Sequence, residues 1–451
     1  MKSLAALAAL LLVAPAIAAP KEEKKKEKVS LDEMLFAENF WDKYLTDLKG
    51  PEPEKDETKE KLKNDLKKEG IIMGKDDPVG FSWLSTNKDG LRAVPKEFKL
   101  LDKEVGEVVI RGRDGKPIDA TVSIFNRGDD GEIPFASYDS KMKEWKGLID
   151  TKMTGVRAEV RNVSGAVPLT GFSWKKGNTA IALEGSVGKD KRAEFLRLRF
   201  VSLSAAKDAP SKMAKRNTFA ENVKKDDKGF TYVSGIPMVD QGQKGYCVVA
   251  SIERVARYFG VQMDQHEMAQ LANTGDDGTN GDEMEKAFDK VTGKIHLRTL
   301  KLIEYNDRQT EKDLRGYNAA AKKAGVKTFD IDPEYFNPLN FWVNAHKETF
   351  RDMKRTQPGY AQFSRKVKEY VDQGIPIEWT LFLGMFKEGD MPQNFGGHMR
   401  LIYGYNYSSP DPAEHKIYYT DSWGEGHEQK VMRVDEAYCM TMALYVMLPN
   451  Q

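Results

Sequence analysis

A chain with only two cysteines places one of them, Cys247, directly before a helical pattern, in the string Gln241-Gly242-Gln243-Lys244-Gly245-Tyr246-Cys247. Gly396-Gly397-His398 and Asp421-Ser422-Trp423-Gly424 follow in that order. Cysteine, imidazole and carboxylate are the parts of a thiol nucleophile for acyl transfer. A thiol near its ordinary pKa of about 8.5 is mostly protonated at neutral pH, so it needs a cationic neighbour and the positive end of a helix. Its position gives Cys247 the helix end. His398 is the candidate cation, able to take the thiol proton and later deliver it to a leaving amine, with Asp421 holding the other ring nitrogen. A tetrahedral oxyanion needs donors fixed in advance, here the Cys247 N–H and the side-chain amide of Gln241, with Gln243 as the competing candidate. Gly242 and Gly245 allow a tight turn and leave room for a substrate beside the sulfur.

Each of these residues also has a plainer reading. An exported protein can use disulfides, and the only internal one open to this chain would join Cys247 to Cys439. Against it, a chain of this length does not need a single staple, and the residues around Cys247 are far more specific than those around Cys439. A lone strand histidine is usually a core residue, and an aspartate at a strand end is usually a turn former. Taken jointly, in this order and with Ser422-Trp423-Gly424 intact, the three read as one device.

The same residues carry a family resemblance. Gln241-Gly242-x-x-Gly245-x-Cys247, His398 followed by strand residues and Gly404-Tyr405, and Asp421-Ser422-Trp423-Gly424 resemble the papain-like cysteine peptidases over residues 235–449. The resemblance implies that Gln241 builds the oxyanion hole, that Asp421 orients His398, and that Trp423 covers their hydrogen bond and excludes water from it. Papain itself has asparagine where Asp421 stands and a disulfide cysteine where Lys244 stands. The Gly-Gly-His string, with Gly397 next to the histidine, and the Asp-x-Trp-Gly string are similar instead to the bacterial branch akin to bacteriocin-leader-processing peptidases. A Cys-His-Asp triad is the expectation.

The elements that must position these residues can be sketched along the chain. Lys2, an apolar stretch over residues 4–13 and the small-residue exit Ala14-Pro15-Ala16-Ile17-Ala18-Ala19 read as a signal peptide over residues 1–19. No cysteine for lipidation sits at the exit, and no later run reaches the roughly 20 apolar residues that span a bilayer, so a secreted or periplasmic protein is expected. Residues 20–70 read as a charged spacer and a helical segment. Within it Ser30 and Glu33 suggest a capping box, and apolar residues at helical spacing run to Gly50. Residues 71–205 alternate in short runs with Asp-Gly and Gly-Lys turns, the pattern of a mostly antiparallel β domain. Gly80-Phe81-Ser82-Trp83 reappears as Gly171-Phe172-Ser173-Trp174, which fits a two-half repeat and fits ordinary aromatic packing equally well. Arg127-Gly128-Asp129 reads as a turn.

After a polar linker over 206–229, residues 230–451 show helical patterns over 247–259, 267–272, 282–291, 309–324, 341–355 and 361–373. Strand patterns follow over 375–383, 398–405, 416–420, 429–434 and 442–448. The fold class is therefore α+β: a papain-like domain of helices followed by an antiparallel sheet, preceded by a mostly β domain.

Other chemistries fit poorly. Lys plus Arg total 70 against 69 Asp plus Glu, so no global field recruits nucleic acid or an anionic membrane, and no nucleic-acid motif occurs. His266-Glu267 opens like a zinc-peptidase helix, but Gln270 stands where the second histidine must be. Asp276-Asp277-Gly278 opens like a calcium loop, but Gly278 replaces a ligand and Ala287 stands in the place of the closing glutamate. No cofactor or metal is expected. The sequence reads as an exported cysteine peptidase acting on a peptide or protein through an acyl-enzyme. A cell-wall amidase or acyltransferase on the same fold, and a non-catalytic surface binding protein, are the alternatives. Oligomeric state is not legible, and the β domain is either a recognition module or an inhibitory pro-region.

Overall fold

The computed structural model describes residues 29–50, 80–93, 98–188, 190–207, 216–242, 245–261, 264–274, 292–293, 295–332, 337–388 and 395–449. The expected signal peptide, Gln243, the helix expected over 282–291 and the calcium-like loop lie outside these residues.

The N-terminal half is built from β1 (Val29–Ser30), β2 (Ser82–Trp83), β3 (Gly90–Ala93), β4 (Phe98–Leu100), β5 (Lys103–Glu104), β6 (Val108–Arg113), β7 (Lys116–Asn126), β8 (Glu159–Val163), β9 (Leu169–Lys176), β10 (Thr179–Val187) and β11 (Ala193–Ser202). Eight of them form an antiparallel sheet in the order β2-β3-β6-β7-β11-β10-β9-β8, and β1, β4 and β5 form a small second sheet. Strand alternation sorts the side chains onto two faces. Val108, Ile110, Ala120, Val122, Leu183, Leu196 and Leu198 enter one buried cluster, whereas Arg92, Arg111, Asp119 and Arg197 engage ion pairs. The apolar face is covered by a helix, Phe135–Lys152, whose buried Tyr138, Met142, Trp145 and Ile149 recur at spacings of four, three and four. The two copies of the Gly-Phe-Ser-Trp string end in different places, the first in the edge strand β2 and the second within β9, and both tryptophans are buried.

The one helix expected over residues 30–50 is instead three short pieces, Asp32–Leu35, Phe40–Asp42 and Leu45–Lys49, behind β1. Ser30 makes no capping box, because its hydroxyl donates to Asp32 Oδ2 at 2.7 Å. Packing explains the break. Leu31, Leu35, Phe40, Trp41 and Leu45 are all buried against the sheet, and Trp41 Nε1 donates to Thr179 Oγ1 at 2.8 Å, which a straight helix would not allow together.

The C-terminal half curls β12 (Val223–Lys225), β13 (Thr231–Val233), β14 (Leu297–Glu304), β15 (Ile377–Leu383), β16 (Gly396–Asn406), β17 (Lys416–Thr420), β18 (Lys430–Arg433) and β19 (Thr441–Pro449) into one sheet, ordered β12-β13-β16-β15-β19-β14 with β17 and β18 branching from β16. The segregation of helices before strands is incomplete. β14 precedes the helices Asp307–Ala324, Pro338–Asn344, Lys347–Arg355 and Pro358–Val371, and the helix Val434–Met440 separates β18 from β19. The single helix expected over 341–355 breaks at Ala345, since Asn337 caps one helix and the His346 side chain caps the next. At Gly404 three strands converge, and a Cβ there would lie 2.8 Å from Tyr232 Cβ and 3.1 Å from Tyr418 Cβ.

Candidate active site

Cys247 is the first residue of the helix Cys247–Tyr258. The helix is fixed from behind, because Val248, Val249, Ile252, Val255 and Ala256 are buried in the core, while Cys247 at its N-terminal end is only half-buried. Cys439 is buried elsewhere, and both thiols are free, so the expected alternative of a Cys247–Cys439 disulfide does not describe this structure.

His398 stands on β16 opposite Leu381 of β15, and Asp421 follows directly on β17, where Thr420 pairs with Leu401 of β16. Antiparallel pairing of β16 and β17 therefore brings the two side chains together. His398 Nε2 and Asp421 Oδ1 are 2.6 Å apart, with Asp421 fully buried. With Nε2 committed, Nδ1 is the ring atom left to face Cys247, with which His398 shares a hydrogen bond.

Charge follows from this geometry. Burial alone lowers the pKa of the imidazole, but the charge and hydrogen bond of Asp421 and the contact with Cys247 outweigh it and raise the value to about 9. Burial also opposes a thiolate. The hydrogen bond and charge of His398 and the Met399 backbone nevertheless bring Cys247 below its ordinary value. Burial by itself would raise Asp421, yet His398, Arg400 and Lys430 hold its carboxyl far below the usual range. The site favours an imidazolium–thiolate pair.

Gln241 is buried, six residues before Cys247. Its backbone N–H donates to Ser422 O at 2.8 Å, and its Oε1 accepts from Ser422 Oγ at 2.7 Å. Ser422 thus holds the oxygen end of the Gln241 amide. Gly242 has φ +75° and its N–H bonds Asp240 Oδ1 at 2.8 Å, the turn glycine serves. Gly245 directly precedes Tyr246 at a bend. Gly397 is exposed, and a Cβ there would meet open space, so core packing does not require it. Trp423 stacks on His398 with ring centroids 4.8 Å apart and planes 27° from parallel.

Several supporting residues had no place in the sequence reading. Arg400, two residues after His398, is fully buried; its Nε donates to Asp421 Oδ2 at 2.8 Å, and its Nη1 reaches both oxygens of Glu388 at 2.9 Å. Tyr419 donates to Glu388 Oε2 at 2.6 Å, and Lys430 Nζ lies 3.3 Å from Asp421 Oδ2. Arg254 donates to the Asp421 carbonyl and to Thr420 Oγ1. A signal existed. A charge inside the apolar run Met399-Arg400-Leu401-Ile402 has to be paired if it is buried. The zinc-like string resolves differently, since Glu267 pairs with Arg197 at 2.5 Å and so serves the fold.

Residues 233–445 match the model of the Peptidase_C39 like family, and the C-terminal domain is a papain-like cysteine peptidase domain of the C39 type. No curated protein matches the chain. Among the described residues no helix is long and apolar enough to cross a membrane.

Proposed function

From a C-terminal domain of the C39 peptidase type, we propose that the protein is an exported cysteine peptidase that hydrolyses peptide bonds through an acyl-enzyme on Cys247. The observation that carries the reading is the continuous contact from the Cys247 thiol through His398 to a buried, ionised Asp421. In this mechanism the Cys247 thiolate adds to the scissile carbonyl, and the oxyanion is held by the Cys247 N–H and the Gln241 amide. The C–N bond breaks as imidazolium His398 gives its proton to the departing amine. Neutral His398 then takes a proton from water, whose oxygen attacks the thioester and releases the acid. The thiol leaves as thiolate, and His398 is again protonated. Trp423 shields the His398–Asp421 contact from water. The signal-like residues 1–19 support secretion or a periplasmic location.

The test is labelling of the mature, unreduced protein with iodoacetamide at pH 6, mapped by mass spectrometry, beside His398→Ala and hydrolysis of denatured protein. Fast, His398-dependent labelling of Cys247 together with cleavage is expected. A sluggish Cys247 whose labelling ignores His398→Ala would defeat the proposal. Cleavage of muropeptides but not of polypeptides would move the assignment to the amidase class.

A further inference from the structure

We infer that the N-terminal β domain is a fixed part of the catalytic apparatus, holding Gln241 and Cys247 through an Arg92–Asp240 contact before the one and a seat for Tyr246 before the other, and is not a pro-region to be shed. The inference rests on the peptidase reading of Cys247.

The first support is where the β domain grips. Arg92 on β3 is clamped by Glu107, 2.8 Å from its Nε, and extends Nη1 to Asp240 Oδ2 at 3.4 Å. Asp240 directly precedes Gln241. Its Oδ1 accepts the Gly242 N–H, its carbonyl accepts from Gln265 Nε2 at 3.0 Å, and Gly424 packs so closely that a Cβ would lie 2.6 Å from Oδ2. One carboxylate therefore ties the oxyanion turn, the Asp-Ser-Trp-Gly loop and the β domain together.

The second support lies beside Cys247 itself. Tyr246, the residue before Cys247, is buried with its ring against Gly128, where an added Cβ would come within 2.3 Å of the phenolic oxygen. Its hydroxyl lies 3.4 Å from Asn126 Oδ1, and its carbonyl accepts the Ala250 N–H in the first turn of the nucleophile helix. The Arg127-Gly128-Asp129 string, a mere turn in the sequence, supplies the one residue small enough for this seat.

The remaining contacts suit a permanent joint. Arg197 on β11 pairs with Glu184 in its own domain and with Asp264 and Glu267 of the other, Arg111 lies 3.6 Å from Glu253 on the nucleophile helix, and Arg127 donates to the Thr274 carbonyl. Val167, Leu169 and Phe195 of the β domain belong to the C-terminal core cluster. Shedding the β domain would open that core and strand buried carboxylates without their cations, a costly state.

The experiment uses the full mature chain with Arg92→Met, Arg92→Lys and Gly128→Ala. Amide hydrogen exchange reads the 241–250 segment without requiring turnover, with residues 377–383 as an internal control, and peptide hydrolysis and Cys247 alkylation are measured alongside. Arg92→Met is expected to speed exchange in that segment at least fivefold with the control strand unchanged. It should lower kcat at least tenfold with KM within twofold, and leave the pH profile of alkylation in place, since the thiolate depends on His398. Arg92→Lys should recover most of the loss, and Gly128→Ala should slow both turnover and alkylation. Unchanged exchange in Arg92→Met and Gly128→Ala overturns the inference, as does a C-terminal fragment lacking the β domain that is fully active. An inactive wild type whose exchange still responds to Arg92→Met would fault the peptidase reading and leave the positioning upheld.

Discussion

Arg400 Nε lies 2.8 Å from Asp421 Oδ2 at a point where neither side chain touches solvent, so the carboxylate that orients His398 is shared with a second cation. The arrangement alternates in sign from Cys247 through His398, Asp421 and Arg400 to Glu388. Alternation matters because a lone buried charge is costly, whereas a chain of paired ones is tolerated.

Removing one member therefore exposes the others. Arg400→Met leaves both Asp421 and Glu388 short of a partner, and a loss of about 3–5 kcal/mol in unfolding free energy is expected, read by urea titration. Adding Glu388→Gln to it should recover part of that loss. If the double variant is no more stable than Arg400→Met alone, the two carboxylates do not depend on the guanidinium in the way the distances imply.

The pH dependence of kcat/KM should be bell-shaped. Its acid limb reflects ionisation of Cys247 below the ordinary thiol value, and its alkaline limb should fall near pH 9, where His398 loses its proton. The same raised pKa has a stability consequence of definite sign. The folded state binds this proton more tightly than the unfolded chain, so the contribution is fully present below the unfolded histidine value and is lost as pH rises through about 9. Asp421→Asn should bring the alkaline limb down toward about 6.5, the ordinary histidine value. A limb that stays near 9 in that variant would mean that Asp421 is not what raises His398.

On the proposed mechanism, Gln241 and Ser422 separate stabilisation of the oxyanion from activation of the thiol. Gln241→Ala should lower kcat by about 10²–10³-fold, the usual effect of removing one oxyanion donor. Ser422→Ala, which removes one hydrogen bond that orients the amide, should cost less, about fivefold at a net hydrogen bond of about 1 kcal/mol. Alkylation of Cys247 generates no oxyanion and should proceed at the wild-type rate in both. Slow alkylation in Gln241→Ala would show instead that the turn itself had moved.

What could be read in the residues and what could not divide along physical lines. The segment from Cys247 to Gly260 was legible because apolar spacing, a helix start and a glycine stop coincide, and the strands around His398 and Asp421 were legible as apolar runs between turns. The helix Phe135–Lys152 was missed inside a β pattern, although Tyr138, Met142, Trp145 and Ile149 form a helical stripe, because the flanking turn signals outweighed it. The region 30–50 failed in the opposite way, since its helical spacing is real but tertiary contacts of Trp41 and Leu45 break it into pieces. Arg400, Glu388 and Ser422 act through partners far along the chain or on neighbouring strands. Pairing of β16 with β17 brings Arg400 to Asp421, while Glu388 comes from the segment after β15, and no local pattern encodes that register.

Glu378 gives a last prediction, of stability and not of catalysis. It sits on β15 between Leu401 and Tyr445 of the flanking strands, is fully buried, and among the described residues neither carboxyl oxygen meets a hydrogen-bond donor. Burial alone pushes its pKa well above the ordinary value. In the unfolded chain the group ionises near pH 4.3, whereas the folded state retains its proton, so the unfolded form gains relative to the native one as pH rises from there. Stability should accordingly fall with rising pH through the weakly acidic range by this route, opposite in sign to the contribution of Asp421, which is lost as pH falls. Glu378→Met removes the unsatisfied carboxyl at similar volume, and at neutral pH it should be about 1–3 kcal/mol more stable than the wild type. Urea midpoints at pH 5 and pH 7.5 decide the matter. The gain should be larger at pH 7.5, and an equal or smaller gain there would mean that the carboxyl has found a partner or water inside the fold.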